Sequence, residues 1–160
     1  MKNLIFVTFL FAISFVSCER ECNENLFTSN SDYLIFGHFY GECFGEKCIE
    51  IYKLDNTHLF EDTTDVYPIT TNFYDGSYVQ LSQQKFESSR DIMNYFPSDL
   101  LNEPNIVIGQ PDAADGGGLY VEFNFDGVRK IWLIDQQKSN VPTKYHSFMD
   151  ELNKRIYINE

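Results

Sequence analysis

Basic residues are scarce in this chain. Twelve Lys and Arg stand against 24 Asp and Glu among 160 residues, giving a formal net charge of −12. Binding to nucleic acid requires clustered cations that neutralise phosphates, so the composition argues against a nucleic-acid partner. It also disfavours peripheral binding to anionic lipid headgroups. The acidic residues are interspersed, as is typical of a solvated surface.

Sequence signatures of catalysis and of metal binding are also lacking. The three histidines lie in separate segments, and none has the paired spacing of a zinc site. We interpret His38 and His146 as packed or rim residues, because each adjoins an apolar pattern. No Gly-x-Ser-x-Gly turn, phosphate-binding loop or dinucleotide fingerprint occurs. We therefore predict no cofactor and favour a non-enzymatic protein. The alternative is a hydrolase whose carboxylate pair the 24 acids do not reveal.

Long apolar runs are missing after residue 16. The single run, residues 4–16, follows Lys2 and ends at Ser17 and Cys18. It is too short to cross a bilayer, which takes about 20 apolar residues. A positive start, a short apolar run and a small residue are typical of a secretory signal peptide, which we assign to residues 1–17.

The end of this run, Phe15-Val16-Ser17-Cys18, resembles a bacterial lipoprotein signal, although the first position is usually Leu. The resemblance implies cleavage before Cys18 and acylation of its thiol with fatty chains such as palmitate. An ordinary secretory signal cut near Ser17 is the alternative. Removing residues 1–17 from the 160 leaves 143, a length that suits one domain. The net charge then falls from −12 to −13, since Lys2 is the only charge removed.

Residues 18–32 form the predicted lipidated N-terminus and tether, and residues 33–160 the predicted domain. The acids that follow Cys18 resemble the export signal of surface lipoproteins in Bacteroidota, although a plain solvated linker would look the same. Residues 36–43 and 141–148 resemble small Bacteroidota lipoproteins of unassigned function. These resemblances imply an anchor in the outer membrane, facing either the periplasm or the surface. They imply no active site.

Three cysteines remain beside Cys18, and secretion favours their pairing. Cys43 and Cys48 flank four residues in which Gly45-Glu46 suits a two-residue II′ turn. We predict a disulfide across a hairpin of strands 33–43 and 48–54, structural rather than redox-active because the spacing is not two. The sequence assigns no partner to Cys22: it is free, is bonded to another chain, or competes for Cys43 or Cys48.

A second hairpin is predicted at Asp126-Gly127, the preferred dipeptide of a type I′ turn. Its register places eight residues on one face, seven of them apolar: Leu119, Val121, Phe123, Phe125, Val128, Lys130, Trp132 and Ile134. Asp75-Gly76 is predicted to join strands 69–74 and 77–81, with weaker alternation.

Helices are predicted to cover one face of the sheet. From Pro142 onward, an apolar stripe recurs at spacings of three and four: Tyr145, Phe148, Met149, Leu152 and Ile156. Glu151 and Arg155 would pair on its outer side. A shorter helix would run from Ser82 to about Tyr95. The fold class is therefore α+β, an antiparallel sheet of hairpins with a C-terminal amphipathic helix and a second shorter helix.

The predicted function is that of an outer-membrane-anchored interaction module for a protein or a glycan. Candidate binding residues are Tyr40, Tyr52 and Tyr120, if their strand faces are open, because tyrosine is enriched at interfaces. Phe44 and Lys47 in the first hairpin would present a stiff loop, as in a protease inhibitor. Asp112 and Asp115, which precede three glycines, are a weak calcium candidate, with a flexible loop as the alternative.

Overall fold

A computed structural model describes residues 31–160, so the signal peptide, Cys18 and Cys22 lie outside the described residues. The strands are β1 (Tyr33–Phe39), β2 (Ile49–Leu54), β3 (Leu59–Asp62), β4 (Tyr78–Gln80), β5 (Val107–Ile108), β6 (Gly118–Phe125) and β7 (Val128–Asp135). They form one sheet in the order β4-β3-β2-β1-β6-β7-β5. All neighbouring strands are antiparallel except β5 and β7.

Two α-helices, α1 (Gln83–Ser89) and α2 (His146–Asn159), accompany the sheet. The 3₁₀ helices are Glu46–Cys48, Arg90–Tyr95, Ser98–Asn102, Ala113–Asp115, Lys138–Asn140 and Thr143–Tyr145. The predicted α+β class is confirmed. Within residues 31–160, no helix has both the length and the apolar character needed to cross a membrane.

The helices pack on one face of the sheet through the predicted apolar stripe. All five stripe residues from Tyr145 to Ile156 are buried in the main core. The helix begins later than predicted, because a 3₁₀ turn follows Pro142 and α2 starts at His146. The Glu151–Arg155 pair forms, with Oε2 and Nη1 2.8 Å apart. Its predicted outer position is wrong, since Arg155 is buried and also binds Asp91.

The shorter helix begins as predicted, with the Ser82 hydroxyl accepting a hydrogen bond from the Lys85 amide. It ends as α1 at Ser89 and continues as a 3₁₀ helix to Tyr95. Phe86 and Met93 both reach the main core. The helix could be predicted because its N-terminal cap and its apolar face are both encoded by residues of this short segment.

The β6–β7 hairpin has the predicted turn and register. Asp126 and Gly127 adopt φ values of 49° and 78°, as a type I′ turn requires. Cross-strand pairs run from Phe125 opposite Val128 to Leu119 opposite Ile134. Asp32, assigned to the tether from sequence, is buried here, and its carboxylate accepts a hydrogen bond from the Asp126 amide.

The predicted β1–β2 hairpin differs in register. Strand β1 ends at Phe39, which lies opposite Ile49, and residues 40–48 form a loop without a II′ turn. The observed register sets Phe36 opposite Tyr52, so that both enter the main core. Burial of one strand face determines register, and pairing Cys43 with Cys48 in the ladder would have broken that match. The disulfide forms nonetheless, with Cα atoms 5.6 Å apart.

Removing this disulfide should destabilise the domain modestly. In the chain-entropy account, closing so short a loop stabilises by about 2 kcal/mol. We expect the double variant Cys43→Ser/Cys48→Ser to lose about that much in urea unfolding. Reduced wild-type protein is the control and should lose the same amount. An unchanged unfolding midpoint in both would contradict a stabilising role for the bond.

The predicted hairpin at Asp75-Gly76 is wrong. Residues 69–74 form no strand, and β4 instead pairs with β3, a strand that was not predicted from the sequence. Residues 63–77, named here the covering segment, connect β3 to β4. Tyr74 of this segment packs on the second sheet face against Tyr120, in a buried cluster that also contains Phe39. Both faces of the central sheet are therefore covered.

Candidate binding groove

A buried carboxylate fastens the covering segment to the sheet. Glu122 on β6 has no exposed surface. Its Oε2 accepts hydrogen bonds from the Tyr120 hydroxyl at 2.6 Å and the Tyr74 amide at 2.9 Å. Its Oε1 accepts from the Tyr33 hydroxyl at 2.9 Å and from Arg129 Nε at 2.8 Å and Nη2 at 2.6 Å. Five donors and one counter-ion satisfy a group that would otherwise be costly to bury.

The tyrosine hydroxyls around Glu122 act as donors. Burial, followed by the hydrogen bond to Glu122, raises the pKa of Tyr33 and of Tyr120 far above the ordinary tyrosine value. Both hydroxyls therefore stay protonated in neutral solution and can donate to the carboxylate.

A second carboxylate holds both ends of the covering segment. Asp62, the last residue of β3, accepts hydrogen bonds from the Thr64 hydroxyl at 2.7 Å and the Ser77 amide at 2.6 Å. The Tyr74 hydroxyl also donates to it at 2.7 Å, and the Asp65 amide at 3.1 Å. Burial by itself would raise the pKa of Asp62, but these hydrogen bonds lower it below the ordinary value.

Acid should therefore weaken the fold through Asp62 and Asp135. Hydrogen bonds from Asn140, Gln137 and Gln110 outweigh burial and lower the pKa of Asp135 as well. A lowered carboxyl pKa stabilises the folded state above the unfolded value of 3.8. That contribution is lost as the pH falls through the folded pKa values.

We expect the urea midpoint to stay level from pH 7 to about pH 5 and to fall below about pH 4. Urea unfolding across this range measures it. The combined variant Asp62→Asn/Asp135→Asn should show a shallower fall. An equally steep fall in that variant would contradict the assignment.

A groove opens where the covering segment meets β7. Its cavity of about 330 Å³ is lined by residues 70–73, 103, 106 and 129–132. A second cavity of about 180 Å³ shares Asn72 and Phe73 with it. Of twelve exposed large apolar side chains in residues 31–160, five line these two cavities: Val66, Tyr67, Ile69, Phe73 and Ile106. Exposed apolar side chains gathered around cavities are typical of binding sites.

Charged side chains form part of the groove wall. The Arg129 guanidinium that binds Glu122 also lies over the Phe73 ring, 4.0 Å from its centre. Lys130 Nζ donates to the carbonyl oxygen of Leu101, and no ion pair of Lys130 is observed within residues 31–160. Glu103 accepts a hydrogen bond from the Tyr145 hydroxyl at 3.0 Å. Contacts with neighbouring residues therefore hold the charged side chains of the groove wall in place.

Neither cavity brings two carboxylates together. Among residues 31–160, Glu103 is the only acidic residue that lines the larger cavity, and Asp75 the only one that lines the smaller. A hydrolase that uses a carboxylate pair needs both groups beside its substrate. These two cavities therefore give no support to the hydrolase alternative.

Two of the tyrosines singled out from sequence are not surface residues. Tyr52 and Tyr120 are fully buried, so the condition of an open strand face is not met. The Tyr52 hydroxyl donates to Glu50 at 3.1 Å inside the protein. Tyr40 is half-buried against the His38 ring. Their alternation in the sequence is the same as that of exposed tyrosines, which is why the error arose.

The disulfide loop lies away from the sheet faces. Phe44 is fully exposed, and Lys47 extends into solvent near Glu160, with Nζ and Oε2 3.5 Å apart. The carbonyl oxygen of Lys47 lies 3.1 Å from His38 Nε2, which ties the loop to β1. His38 is buried and His146 bonds backbone carbonyls, as expected for packed histidines.

The weak calcium candidate has a structural use. The Asp112 carboxylate accepts hydrogen bonds from the Gly41 amide at 3.1 Å and the Tyr67 hydroxyl at 2.8 Å. Burial and this contact raise the pKa of Tyr67 to about 12. Asp115 is exposed. In the described part of the chain, no group of three or more His, Cys, Asp or Glu residues could hold a metal ion.

The residues that build the groove were not predicted from the sequence. Glu122 alternates with Val121 and Phe123 in β6, a pattern that predicts a solvent-facing acid when the second face is taken as open. The nearest sign in the sequence that Glu122 is buried and paired is Arg129, seven residues later on the other strand of a tight hairpin. Comparison of the chain with protein-family models, with curated proteins and with solved structures finds no match.

Proposed function

We propose that the protein is a non-enzymatic binding module of the cell envelope that holds a partner protein in the groove beside β7. The observation that carries this proposal is the concentration of exposed apolar side chains around Phe73. Because both faces of the sheet are covered, the surfaces that remain for a partner are the groove, the sheet edges and the loops. The groove lining includes Phe73, Trp132 and Arg129, and aromatic and arginine side chains are enriched at protein–protein interfaces, which favours a protein over a glycan.

We further propose that Cys18 is acylated after removal of residues 1–17 and anchors the domain in the outer membrane. The support is the sequence Phe15-Val16-Ser17-Cys18 at the end of the apolar run. The proposal covers both a periplasmic and a surface-facing orientation. Palmitate labelling of wild type and of Cys18→Ser should differ, and equal labelling would contradict the anchor.

Site-specific cross-linking tests the binding function. A photoreactive phenylalanine analogue at position 73 should give one discrete covalent adduct in intact cells. The same analogue at Tyr157, which is exposed on α2, is the matched control and should not give it. Identical adducts from both positions, or none from position 73, would contradict binding at the groove.

The disulfide loop supports a second candidate function, inhibition of a secreted protease. Phe44 is fully exposed on a loop closed by the Cys43–Cys48 bond, which reduces the entropy lost on binding. An exposed aromatic side chain fits the hydrophobic specificity slot of a chymotrypsin-type protease. Inhibition of chymotrypsin should be lost in Phe44→Asp and kept in Phe73→Ala. Rapid cleavage after Phe44 without inhibition would contradict this role.

A further inference from the structure

The groove lies against the edge of strand β7 as well as against the two faces of that strand. Four consecutive residues, 129–132, line the larger cavity. Consecutive side chains of a strand point to opposite sides of the sheet. A cavity that touches all four therefore lies alongside the strand edge.

The backbone of this edge offers unpaired hydrogen-bonding groups. The Leu133 amide donates to the Ile106 carbonyl at 2.9 Å, so at Leu133 the backbone points away from β6. Hydrogen-bonding direction repeats every second residue, and Arg129 and Ile131 therefore point the same way. Strand β5 pairs only with Leu133 and Ile134. Within residues 31–160, no hydrogen bond to the backbone N–H or C=O of Arg129 or Ile131 is observed.

We propose that an extended segment of a partner protein adds to the sheet as a strand in this open position, alongside Arg129 and Ile131. This inference rests on the proposed function and specifies how the groove is used. Main-chain hydrogen bonds would supply affinity, and side-chain pockets would supply specificity. This open position is in line with β5. The chain that leads into β5 comes from the 3₁₀ helix Ser98–Asn102, and the cavity remains between that chain and β7.

The lining chemistry defines the segment that fits. An apolar side chain would enter the cavity between Phe73, Ile106 and Trp132. A carboxylate in the same segment would pair with Lys130, whose ammonium donates to the neutral carbonyl of Leu101 and forms no observed ion pair within residues 31–160. The expected ligand is therefore an extended peptide that carries one apolar and one acidic side chain.

A second copy of this chain fits the same edge poorly. Pairing of two β7 strands about a two-fold axis would bring Arg129 and Lys130 close to the same residues of the other copy. Each copy also carries a formal charge of −12, which opposes their association. A peptide from a different protein avoids both repulsions.

Peptide selection on the full chain in detergent tests the proposal. A display library of random nine-residue peptides should yield binders that combine an apolar and an acidic residue. N-methylation at every second residue of a selected peptide should lower its affinity at least tenfold. N-methylation at the residues in between should lower the affinity less than twofold. Lys130→Gln should weaken binding about tenfold, whereas the control Lys144→Gln should not. Failure to select any binder, or an N-methyl effect without alternation, would overturn strand addition.

Amide exchange locates the added strand. The Arg129 and Ile131 amides should exchange fast in the free protein and become protected when the selected peptide binds. The Gln80 amide is the matched control, because it points outward at the opposite edge: its neighbour Leu81 donates to Leu59 within the sheet. It should exchange equally fast with and without peptide.

The outcomes separate this inference from the function on which it rests. A peptide that cross-links to position 73 without protecting Arg129 and Ile131 overturns strand addition and leaves groove binding intact. Strand addition in solution without an adduct from position 73 in cells overturns the proposed function alone. Protection of both amides before peptide is added also overturns the inference. Dependence of that protection on protein concentration would identify a second copy as the occupant.

Discussion

Replacing Glu122 by alanine is expected to lower the free energy of unfolding by about 3–5 kcal/mol, the usual cost of breaking a buried ion pair by removing one partner. The substitution leaves the Tyr33 and Tyr120 hydroxyls and two Arg129 nitrogens without their acceptor. It also removes the nearer of two acceptors of the Tyr74 amide, which keeps only the Tyr120 hydroxyl at 3.1 Å. The Arg129 guanidinium would also lose its counter-ion while it remains against Phe73. Urea unfolding monitored by Trp132 fluorescence measures the effect.

Glu61→Ala is the matched control for this variant. Glu61 is an acid on β3 for whose side chain no hydrogen bond is observed within residues 31–160, and its change should cost about 0.5 kcal/mol or less. Equal losses in the two variants would mean that Glu122 contributes only as a surface acid. The network around it would then have no special role in stability.

Replacing Asp62 by alanine should cost about 3 kcal/mol. Hydrogen bonds to a charged group contribute about 1.5–3 kcal/mol each, but neighbouring bonds do not add fully. The variant removes the acceptor of the Thr64 hydroxyl and of the Ser77 amide, which lie at opposite ends of the covering segment, and that of the Tyr74 hydroxyl. Urea unfolding at pH 7 measures the loss.

Asp75→Ala serves as the control on the same segment, because Asp75 is exposed and no hydrogen bond of its side chain is observed in the described residues. It should change the unfolding free energy by about 0.5 kcal/mol or less. If Asp62→Ala proved equally mild, the two ends of the covering segment would have to be held by its apolar contacts alone.

Elements that depend on nearby residues were predicted well from sequence. The β6–β7 hairpin follows from the Asp126-Gly127 turn and the alternation beside it, and α2 follows from its apolar stripe. In both, the turn chemistry or the helical period selects the same residues that the core then buries. Agreement between local and global preferences made these predictions reliable.

Elements that depend on distant residues were missed. The spacing of Cys43 and Cys48 suggested a ladder pair, but the burial of Phe36 with Tyr52 determined the register. The covering segment has no period of its own. It stays on the sheet through polar contacts such as that of Tyr74 with Glu122, 48 positions later in the chain.

The candidate site was missed for the same reason. Tyr120 looked like a surface residue because its strand alternates, and only the covering segment makes that face an interior one. Once the face is interior, Glu122 becomes the acceptor that holds the segment. The exposed Phe73 then lies beside β7 and forms the groove wall with Arg129. No local pattern in the sequence links these positions.

The most direct test of this account is amide exchange of the covering segment in wild type and in Glu122→Ala, since the groove depends on that segment being held by Glu122. We predict that the Tyr74 amide exchanges slowly in wild type and at least a hundredfold faster in the variant. The Leu152 amide in α2 should stay protected in both under conditions where the variant is folded. A Tyr74 amide that exchanges at the same rate in both proteins would contradict the account.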